Sequence, residues 1–135
     1  MSNDNTEIEV EKIFNYWVGS AEKDYQTMVH LYQSNDYHWS LFIGHLVIEK
    51  LLKAYFVKVK KQHAPFVHDL LRLAVSATLQ VDEEKADLLD TITTFNLSAR
   101  YDSYQQEFYK KCTKEFTTVW IDKIKELRTW IKSML

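Results

Sequence analysis

The chain has 135 residues, 46% of them hydrophobic and 27% charged, which is enough for one soluble core and too little for a second. Two glycines and one proline are too few for the tight turns of sandwiches and barrels, and a single cysteine excludes an internal disulfide or a multi-cysteine metal site. A formal net charge of −2 gives no global attraction to a polyanion.

The first predicted element follows a polar stretch, 1–6, expected to be disordered, so that 7–135 forms a single helical domain. From Glu7 the apolar residues Ile13, Phe14, Trp17, Val18, Ala21, Tyr25, Met28 and Tyr32 recur three and four apart, which predicts a helix over 7–33. Gly19 interrupts it and suggests close packing or a bend. Ser34, Asn35 and Asp36 read as a joint with a cap for the next helix, 37–61. That helix is the most hydrophobic part of the chain and is expected to be central. Its basic end at Lys58, Lys60 and Lys61 opposes the helix dipole, and Pro65 makes 62–67 a loop. A short helix over 68–77 begins near His68 or Asp69. Another, over 82–97, opens on Asp82, Glu83 and Glu84. Residues 98–106 lose the periodicity and read as a loop, and a last helix spans 107–133. The expected fold is all-α, an up-and-down bundle of four to five helices.

The N-terminus has no basic and apolar secretory signal, and the uncharged run 37–48 is shorter than the roughly 20 residues a membrane span needs, so the expected location is cytoplasmic.

Along the second helix His38, His45, Glu49 and Lys53 follow one another at spacings of seven, four and four, on one side. They suit either an exposed stripe with a Glu49–Lys53 pair or a cleft facing Ser20, Asp24 and Arg100. His45, Glu49, His63 and His68 carry no tetrahedral ligand motif, so neither a metal nor another cofactor is expected. There is no nucleophile elbow and no glycine-rich phosphate loop. Charge is uneven. Lysines crowd 49–61, acids crowd 82–90, and basic stretches interleaved with Tyr55, Phe56, Tyr101 and Tyr104 suit phosphates and bases. The acidic segments suit basic ones in a partner subunit equally well.

The pattern Trp17-x-x-Ser20-Ala21-x-x-Asp24, then Tyr37 and His45-x-x-x-Glu49-Lys50-x-x-Lys53-Ala54, resembles the opening helices of HEPN domains, the higher eukaryotes and prokaryotes nucleotide-binding family. His68-Asp69-Leu70 after the proline-bearing loop resembles the family's next landmark, and Ala99-Arg100-Tyr101 its later Arg-Tyr element, with Asp102 where proline is usual. The resemblance covers 17–104. It implies a helical bundle similar to nucleotidyltransferase substrate-binding subunits, commonly a homodimer. It also implies association with nucleotide or RNA, often beside a minimal nucleotidyltransferase in a toxin–antitoxin pair. Many members are metal-independent ribonucleases marked by Arg followed four to six residues later by His. Arg100 has no such histidine, and Arg72 and Arg128 fail the same test.

The reading is therefore a module that contacts nucleotide or RNA, a partner protein, or both, and is non-catalytic. Its expected cleft is formed by Asp24, His45, Glu49, Lys53, Arg100 and Tyr101, with Lys53 and Arg100 on phosphate and Tyr101 stacking. The same charges suit a half-buried ion-pair network that fixes helix register. The alternatives are an endoribonuclease toxin with a displaced histidine, and an assembly subunit for a nucleotidyltransferase.

Overall fold

Six α-helices carry the described residues of the chain's computed structural model, which are 3–135 for the backbone and 9–135 for side chains. They are α1 (Asn3–Gln33), α2 (Tyr37–Lys60), α3 (Leu70–Ser76), α4 (Glu83–Arg100), α5 (Asp102–Lys111) and α6 (Lys114–Lys132). The all-α expectation holds. Of the N-terminal stretch 1–6, residues 1 and 2 lie outside the described residues, and α1 takes in the backbone from Asn3.

α1, α2, α4 and α6 form the up-and-down bundle, with α3 and α5 as short links. α2 is central as expected. It buries more residues than any other helix and packs against each of the others. α1 runs antiparallel to α6, since Glu22 pairs with Arg128 at 2.7 Å near one end while Tyr32 meets the Thr118 hydroxyl near the other. α6 runs parallel to α2: Gly44 faces Ile124, and Lys58 donates to the carbonyls of Met134 and Leu135 at 2.9 Å each. Phe95 packs on Phe116 and Trp120, so α4 ends where α6 begins.

Local signals explain most boundaries. Asp69 caps α3 by accepting from Arg72 N–H, and Asp82 caps α4 by accepting from Lys85 N–H at 2.8 Å. At the α1–α2 joint the turn comes from Asn35, in the left-handed region at φ 65°. Asp36 occupies the cap position without a side-chain bond, contrary to its expected role. The predicted loop over 98–106 is instead the end of α4, a single extended residue at Tyr101, and the start of α5. α5 buries only Phe108, so its first six residues, Asp102 to Glu107, show no apolar period. The predicted helix 107–133 is broken at Cys112 and Thr113, where Thr113 Oγ1 accepts from Phe116 N–H at 3.2 Å and starts α6. These two divisions turn the expected four or five helices into six.

Gly19 is a second correction. It is exposed, and a Cβ there would meet nothing within 4 Å, so neither close packing nor contact requires it. Gly19→Ala should therefore stabilise the fold by about 1 kcal/mol through helix propensity alone. Urea denaturation followed by circular dichroism measures it, and a loss of stability would show a bend that alanine cannot follow. The glycine in a tight place is Gly44, buried on α2, whose absent Cβ would stand 2.7 Å from Ile124 Cδ1.

Candidate functional site

One turn of helix apart, His45, Glu49 and Lys53 leave the solvent together. They are 0%, 4% and 5% exposed, which overturns the exposed-stripe account. A buried carboxylate and ammonium are tolerated only when paired and hydrogen-bonded. Glu49 is paired on both oxygens: Oε2 meets Lys53 Nζ at 3.2 Å, and Oε1 accepts from His68 Nδ1 at 2.7 Å. His45 Nε2 donates to the His68 carbonyl at 2.9 Å and lies 3.9 Å from Glu49 Oε1. His68 thus binds α2 twice, by its ring and by its backbone, and its own side chain stays half exposed.

Lys53 completes the cluster on the α1 side. Its ammonium stands over the Trp17 ring, 5.0 Å from the centroid, and 5.9 Å from that of Phe66, which is itself fully exposed. Beside Trp17 an open groove of about 510 Å³ runs along the first half of α1, lined by Glu9, Lys12, Ile13, Tyr16, Trp17 and His63. The adjacent rings of Tyr16 and Trp17 therefore have Lys12 and Lys53 as neighbouring cations, with Glu9 in the same groove.

The six residues expected to form one cleft separate into three places. His45, Glu49 and Lys53 meet. Asp24 turns to Lys50 at 2.6 Å, and Ser20 accepts from the same ammonium at 2.8 Å. Lys50 follows Glu49 by one residue and so leaves α2 in another direction, toward Ser20 and Asp24 on α1. Arg100 and Tyr101 lie at the far end of α4, exposed, and form no side-chain hydrogen bond or ion pair with any described residue of the cluster. The end of α4 lies with the start of α6, beyond the N-terminal half of α2, whereas Lys53 is in the C-terminal half. His38 is separate again, edge-on to Tyr109 and tilted against Trp39.

Sequence reasoning missed Lys12, Tyr16 and Phe66 and considered His63 only as a metal ligand. The one signal for the groove was that Trp17 and Lys53 open and close the paired helix motifs. Among the described residues no three His, Cys, Asp or Glu side chains are placed to share a metal ion. Burial pushes the Cys112 thiol up to about 12, which leaves it an inert thiol at neutral pH. No helix of the described residues is long and apolar enough to cross a membrane.

Burial also holds His45 below its ordinary value of 6.5, against the opposing pull of its bond to the His68 carbonyl and of Glu49. Its Nδ1 is a buried lone pair without a partner among the described residues, so a second proton would find no acceptor. His38 is lowered by burial too. A histidine kept neutral by the fold contributes full stability above the unfolded pKa of about 6.5, and that contribution is lost as pH falls below it toward the folded value. Stability should fall from pH 7 to pH 5, by at most about 1.4 kcal/mol per pH unit for each proton involved. The slope should flatten in His45→Gln. Melting temperatures in matched buffers test this, and a pH-independent value would mean that His45 takes up its proton as readily in the fold as in the unfolded chain.

A family model for the HEPN domain matches residues 14–134. No curated protein and no solved structure matches the chain.

Proposed function

The chain belongs to the HEPN domain family, a nucleotide- and RNA-related class of helical module, and from that premise we propose that it binds a short single-stranded, phosphate-bearing ligand without cutting it. The observation that carries this reading is the pair of adjacent rings, Tyr16 and Trp17, set between Lys12 in the α1 groove and Lys53 beside it. Tyr16 and Trp17 offer stacking surfaces, Lys12 offers charge to a phosphate backbone, and His63 offers a ring N–H. Base stacking on aromatic faces together with a cationic track is how single strands are held without base readout. Lys53 holds its ammonium over the Trp17 face, and Glu49 Oε2 fixes it there at 3.2 Å. Arg100 and Tyr101, at the other end of the bundle, form a second contact for a strand long enough to reach them. The exposed rings of Tyr104 and Tyr109 are where a second copy of the chain, or a minimal nucleotidyltransferase, would sit.

One observation favours the ribonuclease alternative. The imidazole of His68 is held at Nδ1 by a buried carboxylate, the arrangement that orients a histidine for proton transfer. Among the described residues it makes no hydrogen bond or ion pair with Arg100.

Fluorescence anisotropy of a labelled oligo-uridine at low salt, followed by a gel of the same RNA, separates the readings. Saturable binding of intact RNA is expected, weakened about tenfold in Lys12→Ala/His63→Ala without a change in melting temperature, and weakened by added salt. Cleavage that disappears in Arg100→Ala or His68→Ala would overturn the proposal in favour of the ribonuclease. Absence of both binding and cleavage would leave the assembly subunit.

A further inference from the structure

α4 and α6 stand side by side but hardly approach backbone to backbone, and large side chains bridge the gap. The bridge leaves a continuous groove, because its neighbouring cavities share Glu84, Leu88, Lys123, Glu126 and Trp130. Leu88 and Leu127 line its deeper part. Trp120 and Trp130 lie along it, ten residues apart on α6, which is about 15 Å at about 1.5 Å per residue.

Both indole faces already hold a cation from this chain. Lys123 Nζ is 4.5 Å from the Trp120 centroid, and Lys85 Nζ is 4.9 Å from that of Trp130. Around them Glu84 and Asp87 on α4 and Glu126 on α6 are exposed, and the first turn of α4 adds Glu83, so that acids outnumber Lys125, the lining lysine that stands over neither ring. The two rings are partly buried and each turns a face to a lysine on a flexible stem, Lys85 also meeting Asp82 at 3.4 Å, and an arginine stacks on such a face better. The acids on the rim repel a phosphate backbone and attract a basic polypeptide. None of these residues lines the α1 groove.

We propose that the α4–α6 groove is the docking site for a basic, amphipathic helical segment of a partner protein, whose Arg or Lys side chains replace Lys123 and Lys85 on the faces of Trp120 and Trp130. A helix laid in the groove buries an apolar face on Leu88 and Leu127 and pairs with Glu84, Asp87 and Glu126. Two cations about eleven residues apart, three helical turns, match the spacing of the two indoles.

The probe is a synthetic alanine-rich helix of about eighteen residues with leucines on one face and arginines about eleven residues apart. It is titrated into the full chain beside the same peptide carrying glutamates. Saturable binding of the arginine peptide and none of the glutamate peptide is expected. The isosteric variant Glu84→Gln/Asp87→Asn/Glu126→Gln should weaken binding about tenfold or more. The control Glu11→Gln/Glu107→Gln/Glu115→Gln, with the same change in net charge elsewhere on the surface, should not. Melting curves confirm that both variants fold. Equal loss in both variants, equal binding of both peptides, or no binding overturns the proposal. So does a sedimentation result in which the wild type self-associates and the groove variant does not, since a second copy of this chain would then cover the groove.

Discussion

Glu49→Ala is expected to destabilise the fold by about 3–5 kcal/mol, most of the stability of many domains of this size. The loss comes less from the missing carboxylate than from what stays behind. Lys53 would keep its ammonium 5% exposed beside Trp17 with no counter-charge, and His68 would lose the acceptor of its ring N–H. Denaturation in urea with an unchanged m-value measures the loss. A change below about 1 kcal/mol would mean that Lys53 swings into water and that the cluster is dispensable to the fold. The paired replacement Glu49→Leu/Lys53→Met should behave differently, staying close to the wild type because no charge is left uncompensated. If that double variant is stable but no longer binds RNA, the cluster fixes helix register and also serves the ligand. If it still binds, the pair is structural only.

Gly44→Val should cost about 3 kcal/mol, the upper end of what overpacking usually costs. Even a lone Cβ at this position would stand 2.7 Å from Ile124 Cδ1 and 3.2 Å from Met28 Sδ. Both atoms are the free ends of flexible side chains, so Gly44→Ala can be absorbed, with a gain in helix propensity set against the shift. The two γ-methyls of valine cannot, because α1 and α6 both lie against α2 at that level. Ile124→Val in the same chain should recover part of the loss, and chemical denaturation of the two single variants and the double measures the coupling. Strictly additive losses would place the strain somewhere other than the Gly44–Ile124 contact.

These two residues mark what the sequence made legible. The apolar period located α1, α2 and α4, and acid caps located the starts of α3 and α4, because each signal is local. Gly44 was silent, since closeness to Ile124 is set by three helices meeting, while Gly19 drew notice for a role it does not have. The site was half legible. The two four-residue steps bring His45, Glu49 and Lys53 together, being geometry within one helix, while His38, seven residues earlier, stands apart. That spacing could not say that Asp24 would choose Lys50 over Lys53, which depends on how α1 is rotated against α2. Nor could it place Arg100, because the distance from α4's end to Lys53 depends on the length of α4, and the loss of periodicity at Ser98 made that helix look shorter than it is.

The double grip of His68 on α2 bears on how the chain tolerates being cut. Between Lys61 and Phe66 the described backbone makes few internal bonds, the carbonyl of Pro65 accepting from Val67 N–H at 2.9 Å among them, and the tip carries a fully exposed phenyl ring. A protease finds its natural target there. Past Val67 the chain is fastened by the His68 carbonyl, by the His68 ring and by Leu70 N–H bonding Thr93 Oγ1 at 3.0 Å. A nick in that segment would therefore divide the polypeptide into an α1–α2 hairpin and an α3–α6 remainder that stay clasped as one particle, much as two halves of a split protein do when the break falls outside every fastening.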